Sequence, residues 1–488
     1  MSSLETIRAV RLKKLEALRV RGISPFPIST HPDATLAETR EKFSAFAKRK
    51  TLTLAGRIMA IRAQGGLVFA DINDGTDTFQ ILLKEGDTSS EQFSLWNETV
   101  DISDMVEVCG TLFNTKAGEP TLLVSSWRML AKALRPMPEK REGLKDTEER
   151  FRKRYLDLLS NAESKKRFLL RSALVTELRR VLTDAEFVEV ETSMLQPIPG
   201  GANAEPFKTH HAALDIDLYL RIAPELDLKK LLIGGLPKVF EMGRSFRNEG
   251  IDVTHNPEFT SVEWYEAWSD AGRQRAFVEK ILKGVVTAVC GKLCISHAGS
   301  EIDFGKPFTT ASYFELIERH ALIPHPAGAT RDTLLLAGKQ LGAGVEKNHT
   351  REKLLDAIFK KAVRPKLIQP TFVIEYPKDM LPLAKEKENA PELVDAFQFY
   401  AGGVELVKAF SEQNDPLEQR ARFEEQERRR KAGDKEAEPT DESFLEALEY
   451  GMPPAGGVGI GIERLAMLLT DAHNIREVIL FPTLRPRI

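Results

Sequence analysis

The chain has 488 residues, long for a single domain, and 42% of them are apolar, enough for more than one core. Lys+Arg 69 against Asp+Glu 72 gives a formal net charge of -3, which excludes a global basic field for nucleic acid but not a local patch. No run approaches the roughly 20 apolar residues that cross a bilayer, and three cysteines are too few for a disulfide scaffold. Cys290 and Cys294 lack the second pair that a zinc site would need, so these thiols and Cys109 read as buried or incidental. The first residues carry charge throughout and no apolar core, which is not the pattern of a signal peptide, and a cytoplasmic setting is expected.

Residues 1–50 form a helical extension. Within it, residues 4–20 place Leu4, Ile7, Val10, Leu15 and Leu18 near helical spacing, with Arg8, Arg11, Lys13, Lys14 and Arg19 elsewhere. Two uses stand open for this basic amphipathic helix: a solvated face docked on the body, or a grip on RNA. From 51 to 134 apolar and polar residues alternate, punctuated by turn signals at Gly65-Gly66, Asp74-Gly75 and Ala117-Gly118. Five or so short strands of this kind predict a small barrel of oligonucleotide-binding (OB) size. Residues 135–150, with Pro136, Pro138 and mixed charge, read as a linker.

From 151 to 488 helices and strands mix. The pattern predicts a helix over 163–182, a strand in EFVEVET, and a strand followed by a helix in DLYLRIAPELDLKKLLIGG. KVFEMGRSF and PEFTSVEWYEAW are predicted as two long strands around a loop, and 418–438 as a charged helix and its exit. This succession predicts an α+β domain, an antiparallel sheet with helices packed on one side, not βαβ repeats.

Chemistry concentrates in the loop between the two long strands. Strand side chains alternate in direction, so Glu241, Gly243, Ser245 and Arg247 share one face, and Phe259, Ser261, Glu263 and Tyr265 share another. A hairpin brings the two sets together. Taken alone, Arg247 and Glu249 could still be no more than a surface ion pair. GGVGIGIERLAMLL then adds a glycine-dense strand running into a helix near Ile462. It lacks the third glycine of a dinucleotide fingerprint and the Gly-Lys-Ser/Thr of a phosphate loop. Its glycines instead suit close approach of backbone to a flat ligand, with Arg464 at the helix start beside a phosphate.

RSFRNEGIDVTHNPEFT resembles motif 2, GGVGIGIERL motif 3, and FVEVETSMLQPIPGGANAEPF motif 1 and its sequel, of class II aminoacyl-tRNA synthetases. Together with the barrel, PFKTHHAALDIDLYLRIAPEL and FSEQNDP, the chain is similar over essentially its full length to the bacterial type of class II lysyl-tRNA synthetases. The resemblance implies activation of L-lysine by ATP, with Mg2+, and transfer to tRNA(Lys) by a homodimer. By resemblance Arg247 bridges carboxylate and α-phosphate, Glu249 accepts from the adenine amino group, and Phe259 stacks on the ring. His255, Asn256 and Arg464 belong near the phosphates. Glu225, Glu263, Tyr265, Phe410 and Glu412 match the family's lysine contacts, and an acid-lined pocket suits an ammonium. Arg62, Phe69, Gln80 and Glu119 match anticodon-reading residues, an aromatic for stacking beside polar groups for base edges and phosphate.

The chain departs from the family in places. Of two glutamates that hold Mg2+, Glu405 matches one and Gln398 takes the place of the other; Lys408 stands where the pocket asparagine belongs, on the face of Phe410 and Glu412 by period-two counting. Ser193 replaces the proline of motif 1, which bears on the dimer. Two alternatives follow: a sibling enzyme for aspartate or asparagine, which the acids disfavour, and a tRNA-binding paralogue without aminoacylation, which Gln398 and Lys408 motivate.

Overall fold

The computed structural model describes residues 4–138, 144, 146–434 and 437–487. These fall into two compact units, Met1–Leu144 and Lys145–Ile488. The expected linker lies partly outside the described residues (139–143 and 145), and its end, Thr147–Arg152, is a short helix that Asp146 caps by accepting from Glu148 N.

In the first unit, β1 (Leu52–Gln64), β2 (Leu67–Asn73), β3 (Thr78–Lys84), β4 (Met105–Asn114) and β5 (Pro120–Ala131) close a barrel in the order β1-β2-β3-β5-β4. Alternate residues such as Leu54, Val68, Ile81 and Val106 fill its interior, the burial expected of a period-two pattern. Helix α1 (Leu4–Val20) docks on this body: Leu18 joins its core, and Arg11 donates to the carbonyls of Ala133, Arg135 and Ile102 at 2.9–3.0 Å. Lys14 pairs with Asp101 at 2.7 Å. Two of the helix's cations are therefore engaged within the unit.

The second unit is built on eight strands: β6 (Val188–Glu189), β7 (Lys238–Phe246), β8 (Glu258–Ala267), β9 (Thr309–Ser312), β10 (Thr371–Ile374), β11 (Ala396–Ala401), β12 (Val404–Ser411) and β13 (Ala455–Gly461). They lie in the order β9-β10-β11-β12-β13-β8-β7-β6. The sheet is antiparallel through its middle and parallel at both edges, β9 with β10 and β7 with β6, so it is mixed rather than wholly antiparallel. The predicted strand EFVEVET shrinks to Val188–Glu189, because after Val190 the chain turns away and Thr192 hydrogen-bonds the Glu241 carboxylate.

The two faces of this sheet differ in chemistry. One is apolar: Phe240, Trp264, Val458, Ala409 and Phe397 form a continuous cross-strand row. It packs on α2 (Ala162–Asp184), on a later helix, Ala271–Cys290, and on the final helix, Ile462–Leu469. Helices are not confined to that side. α3 (Glu225–Ile233) packs Leu228 and Leu232 against Val239 and Tyr265 of the opposite face, and a second cluster covers the sheet's other end. The middle of the opposite face stays open, and the site lies there.

Candidate active site

Three rows of paired residues form the floor. Tyr265, Gly457 and Phe410 are consecutive partners, as are Glu263, Gly459, Lys408 and Gln398; Gly461 pairs with Ser261. The glycines of β13 thus alternate onto the ligand face, leaving bare backbone between side chains on either hand. At Gly457 this is obligatory: a Cβ there would run into the Glu412 carboxylate and the Tyr265 ring. A cavity of about 440 Å³ opens above this floor.

At one end lies the loop after β7. Arg247, just past the strand, is fastened by its backbone N–H to Pro257 O at 2.8 Å and holds its guanidinium 5.0 Å from the Phe259 ring. Its Nε is buried and, among the described residues, has no hydrogen-bond partner. Burial pulls this guanidinium below its ordinary value, while Glu249, Glu263 and Glu405 oppose the shift. Arg464, on the first turn of the helix after β13, donates from Nη2 to His255 Nε2 at 3.1 Å, and His255 Nδ1 lies 2.9 Å from Asp252. Asp252 therefore fixes the imidazole tautomer, and the imidazole fixes the arginine. Asn256 spends its amide N–H on Glu258 O at 2.6 Å, closing the loop. Glu249 remains exposed at the cavity wall. A fixed guanidinium pair of this kind can neutralise two anions brought face to face.

The other end holds acids. Glu263 accepts from Tyr265 OH at 3.1 Å, and burial together with neighbouring Glu225 pushes its carboxyl up to about 7. Glu225 and Glu412 are not free to receive an ammonium unaided. Both pair with Lys229, a fully buried lysine one helical turn beyond Glu225, with 2.6 Å to Glu225 Oε1. Burial alone would discharge Lys229, but the two carboxylates outweigh it and hold the ammonium above the ordinary lysine value. Glu412 lies buried against Gly457, directly behind the cavity wall that Glu225, Glu263, Tyr265 and Phe410 share. Glu438, also buried, accepts from Gly201 N at 3.3 Å; burial and Glu225 push it up to about 7.

Three of these residues escaped sequence reasoning. Lys229 was legible as the i,i+4 partner of Glu225 in ELDLKK, a spacing that pairs charges on a helix. Asp252 stands three before His255. Glu438 gave no local signal, because it reaches the site from a distant loop.

The donor set tests the expected Mg2+ site. Among the described residues no group of three or more His, Cys, Asp or Glu side chains is arranged to hold a metal ion. Mg2+ is commonly held by one or two carboxylates together with substrate phosphates. Glu405, with its Oε1 4.0 Å from Arg464 Nη1, suits one such ion. The second position does not fit. Gln398 is neutral, and its Oε1 already accepts from Tyr376 OH at 3.0 Å and Tyr400 OH at 2.5 Å.

On the barrel, Arg62 and Phe69 are direct cross-strand partners whose side chains face outward. Gln80 is opposite Asp71 on one side and Thr121 on the other, and Thr121 Oγ1 donates to it at 2.9 Å. Glu119 lies exposed two residues before Thr121. The four candidate anticodon contacts thus occupy one outer surface over β1–β3 and the start of β5.

An OB-fold nucleic acid binding domain model matches residues 52–130, and the model for tRNA synthetases class II (D, K and N) matches residues 146–485. The chain belongs to this class II tRNA synthetase family. Its similar proteins include the lysine–tRNA ligase of Pelotomaculum thermopropionicum, 45% identical over 99% of this chain and 96% of that protein. Those of Syntrophomonas wolfei subsp. wolfei (44%, over 99% and 98%) and Chloroflexus aurantiacus (45%, over 99% and 99%) are alike.

Proposed function

We propose that the chain is a lysine–tRNA ligase that joins L-lysine to ATP as lysyl-adenylate and then passes lysine to tRNA(Lys). The observation that carries this is one cavity with guanidinium groups at one end and Glu263 beside a buried acid cluster at the other. A lysine carboxylate oxygen attacks the α-phosphorus; the bond to the β-phosphate bridging oxygen breaks, and pyrophosphate leaves with the electron pair. No base is required, since the nucleophile is already an anion. The barrier is repulsion between two anions, and Arg247 and Arg464 lower it by standing in place before they meet. Phe259 offers the adenine a flat apolar surface and Glu249 an acceptor. The lysine ammonium reaches Glu263 and Tyr265, with Glu225 and Phe410 completing the wall. Glu405 would hold the Mg2+ that accompanies ATP, and when bound the ion withdraws charge from the phosphates.

The barrel's Arg62, Phe69, Gln80 and Glu119 are assigned to the tRNA anticodon. Val188, Met194, Leu195 and Ile216 are exposed apolar side chains that suit cover by a second copy, so a homodimer is proposed despite Ser193. Among the described residues no helix is long and apolar enough to cross a membrane, and Cys109, Cys290 and Cys294 are unpaired thiols, which supports a cytoplasmic setting. The test is amino-acid-dependent ATP–pyrophosphate exchange, then charging of tRNA. Exchange with lysine alone is expected. Exchange with aspartate or asparagine alone would make the chain a sibling enzyme, and none with any amino acid would favour a tRNA-binding paralogue.

A further inference from the structure

Directly opposed residues on antiparallel strands carry Cβ atoms about 5 Å apart on one face. Lys408 is therefore placed between the amide of Gln398 and the bare backbone of Gly459, with Glu263 next in the row. Its side chain is exposed and lines the cavity that Arg247 and Arg464 also line. Among the described residues it forms no ion pair, and Glu438, whose titration it influences, instead accepts from Gly201. An ammonium so placed is a point charge with three donors facing a site for anions.

The neighbouring strand gives a second, independent observation. Two phenolic donors take up Gln398 Oε1, and its neutral amide adds no negative charge. This corner thus offers one carboxylate, Glu405, beside two cations, Arg464 and the exposed Lys408, a balance of charge that attracts phosphate more than it attracts a second Mg2+.

We propose that Lys408 contacts the anionic reacting groups of ATP and lysine, supplying from the protein positive charge that would otherwise come from a second metal ion. Nucleotide binding then draws on the single carboxylate Glu405 for metal. The inference rests on the ligase reading and adds no covalent step to it.

Binding of a non-hydrolysable ATP analogue to the full chain is measured by calorimetry in chelator and at rising free Mg2+, for wild type and Lys408→Met. In chelator the variant is expected to bind about tenfold more weakly or worse, the size of one charge-assisted hydrogen bond. With affinity referred to uncomplexed nucleotide, the wild-type plot of log affinity against log free Mg2+ is expected to rise with a slope of about one. Equal affinity of the two proteins in chelator, or a wild-type slope of about two, overturns the proposal. Because Lys408 is exposed, unchanged melting of the variant is expected and is checked first. Lysine-dependent pyrophosphate exchange by the wild type runs alongside. Its absence with every amino acid removes the ligase reading, whereas exchange with an indifferent Lys408 removes this inference alone.

Discussion

Glu263→Gln offers the sharpest test of how the pocket recognises an ammonium. The wild-type carboxyl is pushed up to about 7 by burial and by Glu225, while the Tyr265 hydroxyl, Arg247 and Arg221 oppose the shift. A lysine ammonium, ordinarily titrating at about 10.4, stays charged throughout the neutral range and favours the ionised acid. The sign follows: below 7 the carboxyl must release a proton to bind substrate, so affinity falls as pH falls. With a midpoint of about 7, the ionised fraction runs from roughly one tenth at pH 6 to nine tenths at pH 8, which is about tenfold in apparent affinity. Calorimetry of L-lysine binding without ATP, in buffers of different ionisation heat, reads this directly. At pH 6.5 about three quarters of a proton should leave per lysine bound. Glu263→Gln should bind roughly 30-fold more weakly or worse at pH 8, the cost of truncating one side of a buried charged contact, and its affinity should be flat with pH. Glu438 titrates in the same range but is committed to Gly201, so Glu438→Gln should keep the wild-type slope. A flat wild-type curve, or a slope that survives in Glu263→Gln, would refute the reasoning.

Lys229→Met removes the cation that pairs with both Glu225 and Glu412 and should cost about 3–5 kcal/mol in urea unfolding at pH 7.5. The deficit should shrink toward pH 5, because protonating the orphaned acids relieves their repulsion. Arg247→Lys keeps the charge but loses the planar fork, so kcat/KM for exchange should fall about 10²–10³-fold with the melting temperature unchanged. Phe69→Ala should weaken tRNA binding by about 1–3 kcal/mol in a filter assay and leave lysine-dependent exchange untouched.

What was legible in the sequence was local. Period-two counting put Glu241, Gly243 and Ser245 on one face of KVFEMGRSF and Phe259, Ser261 and Glu263 on one face of PEFTSVEWYEAW, and the hairpin pairs the two sets directly. Counting on VELVKAF likewise placed Lys408 on the face of Phe410, and both line the cavity. What escaped was set by register between distant strands. No spacing reveals that Gln398 faces Lys408 directly, or that β9 and β6 enter the edges in parallel, because those partners are fixed by packing rather than by neighbours in sequence. Glu225, Glu263 and Glu412 were expected to line one pocket for an ammonium, yet a buried acid pair rarely stands without a cation. Lys229 supplies it, which leaves Glu263 as the acid of the three not paired with that lysine.

The glycines of β13 connect these observations. Adenylate formation needs cations close to one end of an amino acid and anions at the other, only a side chain's length apart. On a pleated face, adjacent rows lie close enough for the two sets to neutralise each other rather than the substrate. Gly457 and Gly459 interpose backbone without side chains between Phe410 or Lys408 and the β8 residues Tyr265 and Glu263, and Gly461 lies beside Ser261. That bare row leaves room for a ligand between Lys408 and Glu263. Among the described residues Lys408 makes no ion pair, although Glu263 is the next side chain in its row. A side chain at Gly459 would fill the gap that separates them. The bare strand therefore stands between the opposed charges that the ligase reading assigns to the two ends of the substrate.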